Sequence, residues 1–97
     1  MLTDKGHFDT PNSEKYLQQL CKHFAHKVAV EHDNTNGTIA LGMGPATVHA
    51  TGGTLTAEVT APNAEELADA RQIIDRHLAR FAFREDFEAM AWQSTEA

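Results

Sequence analysis

A single cysteine in 97 residues excludes any disulfide within the chain. A lone thiol fits a reducing compartment, so the expected setting is the cytoplasm. Basic residues are also scarce: eight Lys and Arg stand against fourteen Asp and Glu, for a formal charge of -6. That balance repels phosphate backbones and argues against a nucleic-acid partner. No apolar run approaches the roughly 20 residues of a membrane span, and the polar N-terminus lacks the apolar segment of a secretion signal. No membrane partner is therefore expected. Gly-rich phosphate loop, activated serine, paired-carboxylate cleft and closed metal-ligand set are all missing.

What is present is the composition of a folded domain, with 41% hydrophobic and 23% charged residues. The length suits one domain over residues 1–97. Leu2 to Phe8 alternates weakly, as a short edge strand would. Thr10-Pro11 reads as an N-cap followed by proline at the first helical position. A helix to about Lys27 follows, with apolar residues at 17, 20, 21, 24 and 28 on one face.

From Val28 the period changes to two. Val28 and Val30, Ile39 and Leu41, Ala46 to Ala50, and Leu55 to Val59 each place apolar residues on one face of a strand. Asp33 to Gly37, Gly44-Pro45 and Gly52-Gly53 supply the turns. Connections this short predict an antiparallel four-stranded meander. Asn63 and Glu66 form a capping box for a second helix to about Phe83, burying Leu67, Ala70, Ile74, Leu78 and Phe81. A short strand is expected near Glu88 to Trp92, and a disordered tail over residues 93–97.

The order strand, helix, four strands, helix predicts an α+β two-layer sandwich, with four to five antiparallel strands and both helices on one face. The order is like that of TATA-box-binding-protein folds, an analogy of topology only. The opposite sheet face would carry Glu31, Asp33, Thr38, His49, Thr54, Thr56, Glu58 and Thr60. It offers no aromatic to stack a base and no arginine for phosphate, so the likeness does not extend to nucleic acid.

Two blocks are more distinctive. One runs Thr10-Pro11 and Tyr16-Leu17-x-Gln19-Leu20-Cys21-Lys22-His23-Phe24-Ala25-His26-Lys27. The other is His77-Leu78-Ala79-Arg80-Phe81-Ala82-Phe83-Arg84-Glu85. With them the chain resembles a bacterial family catalogued as domain of unknown function 2218, over nearly its whole length. Gly42, Met43 and Gly44 depart from that pattern, where an apolar-aromatic strand end is expected. The resemblance carries no established activity and no catalytic residues. It implies at most a setting near iron or siderophore handling.

Three groups of residues are candidate sites. His23 and His26, three apart on the first helix, could offer two imidazoles to zinc or iron, although two ligands fall short of the usual three or four and two lysines stand close. Cys21 shares the helix's apolar stripe and is expected as a buried, unreactive thiol rather than a nucleophile. His77 with Arg80 and Arg84 could form a pocket for a carboxylate or phosphate. The competing expectation is a hydrogen-bonded core histidine, with arginines paired to Asp75, Glu85 or Glu88. The first helix's C-terminal end should lie far from the second's, which separates His23 and His26 from His77 and Arg84. Finally, Phe83, Phe87 and Met90 form an apolar stripe at helical spacing. It either packs on the first strand or makes a homodimer or partner contact. A non-enzymatic binding or interaction domain is the first expectation, a metal-associated protein the second, and an enzyme using His77 the last. No cofactor is assigned.

Overall fold

The computed structural model describes residues 2–85, 87 and 89–94. In chain order it has β1 (Leu2–Asp9), α1 (Ser13–Phe24), β2 (Val30–His32), β3 (Asn36–Leu41), β4 (Gly44–Thr51), β5 (Thr54–Ala61), α2 (Ala64–Phe81), a 3-10 turn (Phe83–Glu85) and β6 (Ala91–Ser94). The strands form one sheet in the order β2-β3-β4-β5-β1-β6, antiparallel at every pairing.

Strict alternation decides which face the helices cover. Ala46, Val48 and Ala50 of β4 and Leu55, Ala57, Val59 and Ala61 of β5 are buried, while Thr47, His49 and Thr51 are exposed. α1 lies over β2 to β5, and α2 over β5 and β1. Their buried stripes, Tyr16, Leu17, Leu20, Cys21 and Phe24 on α1 and Leu67, Ala70, Ile74 and Leu78 on α2, meet the sheet between them. Leu17, Leu20, Ile39, Leu55, Ile74 and Leu78 are fully buried. Each contributes about 1.5–3 kcal/mol of transfer free energy.

Small residues set how closely these layers approach. A Cβ on Gly37 would stand 2.5 Å from the Cys21 Sγ, so α1 can settle on β3 only over a glycine. Cys21 is buried, and loss of hydration pushes its thiol up to about 11. It is an inert core residue, as expected. Gly52 and Gly53 both take positive φ (54° and 87°), which closes the tight β4–β5 hairpin between Thr51 and Thr54.

Several boundaries differ from the sequence expectation. The N-cap of α1 is Asn12 rather than Thr10; the Thr10 hydroxyl instead accepts the Asn12 N–H at 3.1 Å. α2 has the expected capping box, Asn63 accepting from the Glu66 N–H at 2.9 Å and donating to its carboxylate at 2.8 Å, but ends at Phe81. The late strand lies at Ala91–Ser94 and so includes Gln93 and Ser94; residues 95–97 are outside the described residues.

β1 is not an edge strand, because β6 pairs along its outer side with Gly6 opposite Trp92. The indole lies across Gly6, where a Cβ would meet its ring at 2.7 Å, and its Nε1 donates to Asp75 of α2 at 2.8 Å. The other Asp75 oxygen accepts the Met90 N–H at 2.9 Å. One half-buried carboxylate therefore fastens the C-terminal segment to the second helix. Burial raises the Asp75 pKa, and the two N–H donors oppose that rise. A second inward carboxylate, Asp4 on β1, is 1% exposed and pairs with Arg71 of α2 at 2.6 Å.

Replacing Asp75 by Ala removes two hydrogen bonds to a charged acceptor, each worth about 1.5–3 kcal/mol. We predict a loss of about 2–3 kcal/mol in urea unfolding, with Trp92 emission shifting to the red in the folded baseline. Unchanged emission would mean that the indole is not held by Asp75.

Candidate functional site

α1 and α2 run antiparallel and meet near the C-terminal end of α1. His23 lies against His77, their ring centroids 4.8 Å apart, while towards the start of α1 Tyr16 meets Glu85. The expected separation of His23 from His77 is therefore wrong, although the helix directions are as expected. The reason is length. α1 has 12 residues, about 18 Å at 1.5 Å per residue, and its last turn meets the last turns of α2, where His23 lies against both His77 and Phe81. Arg84 does lie at the far end, beside the first turns of α1.

His23 is half-buried among Phe24, His77 and Phe81, and its Nε2 is buried without a hydrogen-bond partner. His26 lies beyond the end of α1 and is exposed. Among the described residues no group of three or more His, Cys, Asp or Glu converges as metal ligands would. His77 Nδ1 lies 2.6 Å from the Ile73 carbonyl oxygen. A carbonyl can only accept, so Nδ1 carries the proton. This is the satisfied helical histidine anticipated as the alternative to a pocket residue. His77 is half-buried rather than fully buried.

Arg80 and Arg84 go elsewhere. With Asn12, Lys15, Tyr16, Gln19, Phe81, Phe83 and Glu85 they line an open cleft of about 530 Å³ between α1 and the end of α2. Glu85 organises its floor. Its Oε1 accepts from the Thr10 hydroxyl at 2.8 Å, and its Oε2 accepts from the Asn12 amide at 3.2 Å and from the Tyr16 hydroxyl. The Tyr16 hydrogen bond is the main cause holding the Glu85 carboxyl below its usual range. Burial, then Glu85 itself, raises the Tyr16 pKa and keeps that phenol a donor.

With the Glu85 oxygens engaged, the cations are left over. Among the described residues the ion pairs are Lys5 with Glu58 and Arg71 with Asp4. Lys15, Arg80 and Arg84 have none among the described residues, and the Arg84 guanidinium rests 5.6 Å from the Phe83 ring centroid. Neither Asp75 nor Glu85 takes an arginine, and Glu88 is outside the described residues. Three cations against one carboxylate give the cleft a local charge of +2 on a chain of net charge -6. Sequence spacing pointed to the two arginines. Glu85 is expected from the sequence as an ion-pair partner of the arginines; Lys15 and Tyr16 could not be joined to them, because they lie more than 60 residues earlier in the chain.

The apolar stripe divides. Phe87 and Met90 are buried, Phe87 with its ring 4.7 Å from that of Phe8 on β1. They belong to the chain's own core. Phe83 alone remains outside, 63% exposed. The three do not share a helical face because α2 stops at Phe81 and the chain turns through Phe83–Glu85.

The helix seam has a pH consequence. Burial, then the positive charges of His77, Lys27, Arg80 and His26, lower the His23 pKa. A base whose folded pKa lies below its unfolded value of about 6.5 binds fewer protons when folded. Its contribution to stability is present above that value and lost as pH falls through the folded pKa. Melting temperature should therefore drop between pH 7 and pH 5, and His23→Leu should flatten that slope. An identical slope in the variant would assign the dependence to other groups.

Comparison with known proteins places the chain. No protein of curated function matches it. The solved structure described as the NMR structure of PA4090 from Pseudomonas aeruginosa is similar over 100% of both chains, with 30% sequence identity and a TM-score of 0.82. The model of the family described as "Uncharacterized protein conserved in bacteria (DUF2218)" matches residues 5–93. The expected resemblance and its α+β sandwich thus hold, and the chain belongs to this bacterial family.

Proposed function

We propose that the protein is a non-enzymatic binding domain that takes a small anionic ligand, through a carboxylate or phosphate group, in the cleft between α1 and the end of α2. The observation that carries this is the convergence of Lys15, Arg80 and Arg84, none with a carboxylate partner among the described residues. Arginine forks suit planar or tetrahedral oxyanions. The cleft volume falls within the range of about 300–1,000 Å³ typical of small-ligand sites. Net charge decides against a polyanion: a chain at -6 repels a long phosphate backbone, whereas a local +2 still attracts one small anion. The Glu85 carboxylate is saturated by three donors, which suits a framing role better than proton transfer. A single buried thiol agrees with a cytoplasmic setting.

Calorimetry with inorganic phosphate and with acetate, at fixed ionic strength against chloride, tests this. Saturable binding of at least one is expected. The Arg80→Ala, Arg84→Ala double variant, altered only at exposed side chains, should fold normally and weaken that binding at least tenfold, since hydrogen bonds to charged groups are worth about 1.5–3 kcal/mol each. Equal affinity in the double variant would remove the cleft from consideration.

A further inference from the structure

We infer that the ligand is an amphiphilic anion, a carboxylate or phosphate monoester attached to a flat apolar group, and that Phe83 is the platform for that group. This rests on the cleft being an anion site and adds what lies next to the charge. Phe83 is the large apolar side chain that stands most exposed among the described residues, at 63%. Isolated exposed apolar residues are ordinary. Two features set this one apart.

The first is that its exposure is imposed by the fold. Ala82, one residue earlier, is fully buried, and Phe87, four later, is buried in the core. Phe83 opens a 3-10 turn whose two ends are fixed. The Ala82 N–H donates to Leu78 at 2.9 Å, and the Glu85 N–H donates to Ala82 at 3.0 Å. The Glu85 side chain is itself held by Thr10, Asn12 and Tyr16. The chain has a core within reach and holds this ring out of it.

The second is what surrounds the ring. It lines the same cleft as Lys15, Arg80 and Arg84, with half-buried Phe81 beside it and the Arg84 guanidinium over its face. An aromatic face bordered by cations that have no carboxylate partner among the described residues is complementary to a ligand with both an anionic head and an apolar body. A bare oxyanion would satisfy the arginines and leave Phe83 and Phe81 in water. A ligand with a ring satisfies both, and the volume of about 530 Å³ has room for it.

The test compares matched pairs of probes on the whole chain: benzoate with acetate, and phenyl phosphate with inorganic phosphate, by calorimetry at constant ionic strength. The aromatic member of at least one pair should bind about tenfold tighter, the scale of burying part of one ring. In Phe83→Ala the ratio within that pair should fall to about one. Equal affinities within both pairs, or a preference that survives Phe83→Ala, overturns the inference while leaving the anion site standing. Failure of all four probes to bind removes the anion site and this inference together.

Discussion

The carboxylate of Glu85 ties the two ends of this fold together. It comes from the turn after α2, and it is held by Thr10 and Asn12 just before α1 and by Tyr16 in the first turns of that helix. Those three donors fix the turn after Phe81 against the start of α1, while Phe87, Met90 and β6 anchor the chain beyond it. With that turn fixed, Arg80, Phe81, Phe83 and Arg84 are brought against Lys15 and Gln19 across an open cleft. Both Glu85 oxygens are engaged by these donors, and no arginine among the described residues pairs with it. One acid thus joins the segments that carry the cations, which have no carboxylate partner among the described residues.

A similar division of labour appears on the other side of α2. Asp75 and Arg71 face β1 and β6, where they engage Trp92, Met90 and buried Asp4. That side closes around β6, although Asp4 Oδ1 is buried without a hydrogen-bond partner among the described residues. On the α1 side Gln19 Oε1 and His23 Nε2 are buried without partners, and three cations are free of carboxylates, among the described residues. Structural polar groups are normally satisfied. The cations without carboxylate partners among the described residues are why we propose the cleft, and not the threonine-rich sheet face, as the place for a ligand.

Much of the architecture was legible from local chemistry. The period-two meander, the Gly52-Gly53 turn, the Asn63 capping box and the apolar stripes of both helices each rest on residues close in sequence. The errors arose where distant residues decide. Thr10 is not the N-cap because α1 starts at Ser13; its hydroxyl accepts the Asn12 N–H and donates to Glu85, 75 residues away. β1 gained an outer neighbour because Trp92 fits over Gly6 and reaches Asp75. Phe87 and Met90 left the supposed stripe because α2 ends at Phe81 and the chain turns them into the core. Of the candidate site, Arg80 and Arg84 were visible from their spacing. Lys15 and the Glu85 hub needed the antiparallel helix pair, and His77 proved to be a helical histidine bonded to Ile73.

The most direct measurement is an amide chemical-shift map of the labelled protein titrated with phenyl phosphate. The account predicts saturable shifts confined to residues 12–19 and 80–85, the two segments that border the cleft. Shifts centred on the open sheet face around Thr47, His49 and Thr56, or no saturable shifts at millimolar ligand, would contradict it.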